Sequence, residues 1–237
     1  MSKIIGMSRN IKFDWLNKVA ELYMGGKNED EIKEELNEFL SFEIKSPTNL
    51  RKTREILMNI WVKDKENYEE AKNIAINLYN SGKKENMLLA HWCLILLTYP
   101  VFADICCVIG KMDRKMFDIT NKEIKNNMFD LWGERTTLFH SIDKNIKTLK
   151  DIGVLYPIPK HKYGVNKYSI NSREGIILIT YTLTSIKDKL YMSLEEINNS
   201  PEFFPFDYHV TVDVLKESNI FLIDQFGGKL VISNKNK

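Results

Sequence analysis

Between Met87 and Gly110 the chain runs MLLAHWCLILLTYPVFADICCVIG, an apolar stretch long enough to raise the question of a membrane. A spanning helix needs about 20 mostly apolar residues in a row. Here His91, Pro100 and Asp104 interrupt the run. Proline lacks a backbone donor and its ring collides with the preceding turn, so the pattern divides into two segments, each too short to span. The stretch therefore reads as two core helices meeting at Tyr99 and Pro100, the centre of a helical bundle, and no membrane partner is expected.

The segments before it supply the rest of such a bundle. Phe13 to Met24 carries Trp15, Leu16, Val19, Leu22 and Tyr23 at mostly helical spacing, and Gly25 and Gly26 end it. Asn28 and Glu31 form a capping box for a second helix with Ile32, Leu36, Phe39 and Leu40 on its buried side, which makes a helical hairpin. The Gly-Gly-Lys between them is no phosphate loop, because no strand precedes it and the glycine spacing is wrong. Pro47 suits a first helical position, and Ile56, Leu57, Ile60 and Trp61 follow within Leu50 to Val62. Tyr68, Ala71, Ile74, Ala75 and Leu78 define another amphipathic helix, closed at Asn80, Ser81 and Gly82.

With 237 residues and 43% hydrophobic content the chain can bury a substantial core, as one large domain or two small ones. Its 34 basic and 32 acidic residues leave a net charge of only +2. Any affinity for nucleic acid must therefore come from a local patch. The three cysteines, Cys93, Cys106 and Cys107, lie among apolar neighbours without metal-ligand spacing and read as buried free thiols. The opening MSKIIGMSRN lacks a long apolar segment with a small-residue cleavage site, so no secretory signal is expected and a reducing cytoplasm is.

The local patch is Thr120 to Ile170. Thr120 with Glu123 reads as a capping box for a helix bearing Ile124, Met128 and Leu131 on one face, and Gly133 breaks it. Trp132 is expected to pack the turn into the core. From Thr136 the pattern restarts, with Leu138, Ile142, Ile146 and Leu149 as the buried stripe. Thr137, Ser141, Lys144 and Thr148 fall on another face. A basic hairpin, PKHKYGVNK, follows. This is the layout of a winged helix-turn-helix. A helix laid in a major groove needs short polar and long basic residues outward and phosphate contacts at its ends. Thr137, Ser141, Lys144 and Thr148 fill the first role, and Arg135, Lys147 and Lys150 the second. Lys160, His161, Lys162 and Lys167 stand where a wing meets the backbone or minor groove. A second basic cluster, Arg51, Lys52 and Arg54, sits in a first helical turn, where the helix dipole prefers acids. It reads either as a phosphate-contacting edge or as a solvated face paired with nearby acids.

Beyond the hairpin, Glu174 to Lys189 reads as a helix capped at Ser172, and Ser193 with Glu196 opens a short helix that Pro201 ends. A further helix is expected from about Asp207 to Glu217, with Val210, Val214 and Leu215 inward. The segment NIFLIDQFGGKLVIS reads as two strands joined at Gly227 and Gly228, a helix and hairpin that repeat the winged plan in miniature.

No catalytic pattern stands out. His91, His140, His161 and His209 are far apart and outside any metal motif, and there is no P-loop, dinucleotide fingerprint or nucleophile elbow. His91, among apolar neighbours, reads as a hydrogen-bonded core residue. A non-catalytic protein without cofactor, metal or evident small-molecule substrate is expected.

Four stretches, GMSRNIKFDWL, TNLRKTREILMNIWV, AHWCLILLTYPVFADI and DLWGERTT, occur in this order and together resemble the BrxA proteins of bacterial BREX phage-defence systems. The resemblance covers most of the chain and is loosest in the last third. It implies a mainly helical cytoplasmic protein with an N-terminal bundle similar to the NusB fold, binding double-stranded DNA beside other BREX proteins without catalysis. It also implies that Ser8, Arg9, Arg51 and Arg54 match family-like positions, and that Arg135 and Thr136 match the turn before the recognition helix.

The expected architecture is mainly α: a helical bundle over 1–115, a winged helix-turn-helix over 116–172, and a small helix-hairpin unit over 173–237. The boundary near Lys111 to Lys115 has no linker to mark it. The expected function is double-stranded DNA binding within a phage-defence assembly; the alternative is a scaffold that recruits partner proteins through the same surface.

Overall fold

Among the described residues six helices precede residue 115, and side-chain caps start two of them, at Asn28 and Ser46. They are α1 (Phe13–Met24), α2 (Glu29–Ser41), α3 (Pro47–Trp61), α4 (Glu69–Tyr79), α5 (Lys84–Thr98) and α6 (Pro100–Arg114). The computed structural model describes residues 6–63 and 68–235, so the first five residues of the expected signal-free start lie outside it. The Asn28 box is complete: Asn28 Oδ1 accepts from Glu31 N–H at 3.0 Å, and Glu31 Oε2 accepts from Asn28 N–H at 2.8 Å. Pro47 takes the first turn of α3, where its missing N–H costs nothing.

Helix α5 is apolar all round, and every residue from Leu88 to Leu97 is buried, as expected of a helix wrapped by others. Pro100 then starts α6 at an angle of 117° to α5. Among the described residues no single helix is long and apolar enough to cross a membrane. Trp92 of α5 meets the rings of Phe102, Phe204 and Phe206, and its indole N–H donates to Glu202 O at 3.1 Å. Fully burying one such side chain contributes about 1.5–3 kcal/mol. His91 is a satisfied core histidine: Nδ1 accepts from Trp61 Nε1 at 3.0 Å, and Nε2 lies 2.9 Å from Asn17 Oδ1.

The second half begins with α7 (Asn121–Trp132) and α8 (Thr136–Asp151), then β1 (Leu155–Ile158), β2 (Lys162–Val165), β3 (Tyr168–Ile170) and α9 (Arg173–Ile186). After them come β4 (Met192–Ser193), α10 (Leu194–Asn198), a 3-10 turn (Pro201–Phe203), β5 (Phe206–Tyr208), α11 (Val212–Ser218), β6 (Phe221–Phe226) and β7 (Lys229–Asn234). The molecule is thus mainly helical with a few small sheets. Helix α9 lies against α4 and α5, and one buried apolar cluster runs from Met7 to Ile232. Gly110 marks the tightest approach. A Cβ there would fall 2.0 Å from the Pro201 carbonyl oxygen, so the backbone of α6 touches the 3-10 turn directly.

Four expectations need correction, one of them the Ser172 cap, whose side chain makes no capping hydrogen bond at the start of α9. Leu131 is 62% exposed, and Trp132 takes the inward position of α7, its indole N–H donating to Asp104 Oδ2 at 2.8 Å. The helix expected from Asp207 starts only at Val212, because Phe206–Tyr208 pairs as a parallel strand with Tyr168–Ile170. Of the box at Thr120, the half that forms is Thr120 Oγ1 accepting from Glu123 N–H at 3.2 Å. The Ser193 box forms in both directions.

The two small antiparallel assemblies share one plan. Thr120 bridges to Lys162 of β2, and β2 pairs with β1. In the C-terminal sheet β4 pairs with β7, and β7 with β6. In each, the first strand pairs with the third and the third with the second. In each, too, the residue at the first pairing, the isolated bridge at Thr120 or the end of β4 at Ser193, is the N-cap of the next helix.

Candidate nucleic-acid interface

Gly133, at φ +76°, ends α7 and leaves two residues before α8. Leu138, Ile142, Ile146 and Leu149 form the buried stripe as expected. The face read as outward divides. Ser141 is 1% exposed and Thr148 0%, so both belong to the interior. They hold residues 6–11, which lie along this side of the helix. Ser141 Oγ donates to Gly6 O at 3.0 Å, Ile11 N–H donates to Thr148 Oγ1 at 2.9 Å, and buried Asn145 reaches Met7 O. Ser141 and Thr148 therefore cannot touch DNA; short hydroxyls look alike whether they face water or an extended segment of their own chain.

Thr137, Lys144 and Lys147 do face outward, joined by His140, which sequence reasoning passed over. At 100° per residue these four share one arc of the helix. Asp143 on the adjoining edge is held by Lys125 at 2.7 Å, and Lys125 also lies 3.6 Å from the Phe139 ring centre. Asp151 accepts from Asn10 Nδ2 at 2.9 Å. Asp143 at the edge of the arc and Asp151 at its C-terminal end thus have partners, while Lys144 and Lys147 form no ion pair among the described residues. Arg135, the N-cap residue of α8, turns back and donates to Trp132 O at 3.0 Å. One of its donors thereby closes the end of α7.

The hairpin residues separate in the same way. Lys160 and His161 are exposed at the tip, with φ +65° and +59°. Lys162 lies 2.7 Å from Asp118 Oδ2, on the strand that bridges to Thr120. Lys167 is not at the tip. It ties the base of the unit to α6 and the 3-10 segment, donating to Asp113 Oδ2 at 2.8 Å and to Phe204 O at 2.7 Å. A short loop compressed the spacing that made it read as part of the wing.

On α3, Arg54 is paired with Glu55 at 2.8 Å and donates to Asn37 Oδ1 at 2.9 Å, the solvated-face outcome. Arg51 and Lys52 are exposed. Arg9 Nε donates to Asn49 Oδ1 at 3.0 Å while Asn10 reaches Asp151, so residues 9 and 10 set the first turn of α3 beside the last turn of α8.

The groups with strongly shifted pKa are interior ones. Burial lowers His91 to about 3 and raises Cys93 to about 12 and Cys107 to about 11; Cys107 is half-buried where full burial was expected. No group of three or more His, Cys, Asp or Glu side chains suited to a metal occurs among the described residues. Compared with known proteins, the chain matches no family model, no curated protein and no solved structure.

Proposed function

We propose that the protein is a non-catalytic double-stranded DNA-binding component of a BREX-type phage-defence system. The observation that carries the DNA reading is the outward arc of α8, Thr137, His140, Lys144 and Lys147, beside a hairpin tipped by Lys160 and His161. Read as a winged helix, α6, the Thr120 bridge, α7, α8, β1 and β2 follow the order helix, strand, helix, helix, hairpin. In that arrangement α8 enters the major groove and the hairpin rides the backbone. The first five bundle helices correspond, on this reading, to the NusB-like part. The BREX assignment rests on the sequence resemblance alone.

Neutralising phosphates releases counterions, so affinity should fall linearly with salt on a logarithmic plot. The test is a mobility-shift titration of duplex DNA with wild type and with Lys144→Ala plus Lys147→Ala. The reading expects wild-type binding that weakens steeply with salt and a clear loss in the double variant. Equal affinity in both, with the fold intact, would remove α8 from the interface. Survival there with loss in Arg51→Ala plus Arg54→Ala would move binding to α3.

The second reading, a scaffold for partner proteins, is favoured by one feature. Phe117 and Leu131, each 62% exposed, line the cleft between α6 and α7, and Met116, 94% exposed, precedes Phe117 in the chain. Exposed apolar side chains gathered in one place mark protein contacts more often than DNA contacts. Retention of a BREX partner by a variant that has lost DNA binding would separate the two roles.

A further inference from the structure

Between the first turn of α7 and the hairpin lies a groove lined by Lys122, Lys150, Lys160, His161, Lys162 and Tyr163. Three separate elements contribute its cations: α7 supplies Lys122, α8 supplies Lys150, and the hairpin supplies the rest. No carboxylate lines it. Asp118 and Glu123, close by in sequence, line the other cleft, between α6 and α7, and from there Asp118 Oδ2 lies 2.7 Å from Lys162, so Lys162 comes to the groove already paired. The Thr120–Lys162 bridge and the Tyr163 N–H bond to Ile119 O, at 2.9 Å, fix the hairpin against the start of α7, so the groove is built into the backbone. Lys150 lies 5.6 Å from the Tyr163 ring centre, which holds one cation over the groove wall.

A second observation concerns the tip. Lys160 and His161 both adopt left-handed backbone, a conformation that costs a side-chain-bearing residue energy and favours glycine or asparagine. Short hairpin loops need positive φ, so the turn itself accounts for this backbone, and glycine would meet the need without strain. Both side chains line the groove, adding one ammonium and one imidazole to the other lysines.

We infer that this groove clamps consecutive phosphates of a duplex DNA backbone, a contact that fixes register without reading sequence. The inference rests on the DNA-binding reading and assigns the α8 arc to the bases and the groove to the phosphates. Lys122, on the helix that precedes the recognition helix, joins Lys150 and the hairpin as a phosphate ligand.

The test measures fluorescence anisotropy of two unrelated labelled duplexes against salt, for wild type, Lys122→Ala plus Lys150→Ala, and Lys160→Gly plus His161→Gly. The expected result is a logarithmic salt slope shallower by about one to two in each variant. The affinity ratio of the two duplexes should stay unchanged, and the glycine variant should melt no lower than wild type. An unchanged slope in both variants, while wild type binds DNA, overturns the groove alone. Absence of salt-dependent binding in wild type overturns the DNA reading itself. Inorganic phosphate and pyrophosphate are titrated in parallel; saturable pyrophosphate binding lost in the variants, with the DNA slope unmoved, assigns the groove to a free phosphate ligand and overturns the proposal.

Discussion

The backbone N–H of Ile11 donates to Thr148 Oγ1 at 2.9 Å, although 137 residues separate them. That bond, with those of Ser141 and Asn145, converts half of the polar face of α8 into a seat for the start of the chain. The polar face so divided has one part that governs stability and another available to a ligand.

The seat predicts a clean separation of effects. Asn145→Ala removes donors to Ser141 O at 2.7 Å and to Met7 O at 3.5 Å in a dry setting, and should cost about 1–3 kcal/mol. DNA affinity per folded molecule should not change. Urea denaturation beside anisotropy on the same preparation checks both halves.

Gly110→Ala should be among the most damaging small substitutions. The added methyl would meet backbone, not a side chain that can swing aside. Overpacking of this kind costs about 1–3 kcal/mol or more. A lowered thermal midpoint, partly recovered by no side-chain replacement at Phe204 alone, is the expected outcome, since Phe204 Cβ lies at 3.0 Å and the Pro201 carbonyl nearer.

His91 predicts a pH dependence of stability. Burial lowers its pKa from 6.5 to about 3 in the folded chain. Between those values the unfolded chain holds a proton that the folded chain refuses, so stability rises with pH across the window and falls on acidification. The slope approaches about 1.4 kcal/mol per pH unit well inside it. The lowered carboxylates, such as Glu43 and Glu55, lose their contribution only at lower pH, below the usual carboxylate value of 4.5. His91→Leu should be less stable at pH 7, because Trp61 and Asn17 lose their partner, yet nearly flat between pH 5 and 6.5. A wild-type profile flat over that range would contradict the assignment.

Lys167→Ala supplies a control for the interface. Its contacts to Asp113 and Phe204 O are partly exposed, so stability should drop by no more than about 1 kcal/mol. The salt slope of DNA binding should match wild type, in contrast with Lys144→Ala plus Lys147→Ala.

Much of the fold is written locally. The Asn28 and Ser193 boxes, the glycine stops after α1 and α7, and Pro100 each act within a few residues, and the structure puts helix ends where they stand. What could not be read is decided by distant partners. Ser141 and Thr148 are buried by residues 6–11, Phe206–Tyr208 becomes strand because Tyr168–Ile170 is beside it, and Lys167 turns inward to Asp113. Lys144 and Lys147 stayed on the outward arc because, among the described residues, no distant segment covers them. Lys122 escaped notice since only the Thr120–Lys162 pairing brings its helix to the hairpin.

The shared strand order of the two small sheets has a further consequence. Thr120 and Ser193 occupy one topological position, and each is followed three residues later by a glutamate. Around them the surfaces have diverged: lysines and a histidine gather at the first hairpin, while Leu222, Phe226 and Leu230 stand exposed at the second. The two sites thus share a pairing order and a helix start, while their outward chemistry differs. Kinship between such sites is to be sought by superposing backbones, since the residues that distinguish their tasks are the ones least alike.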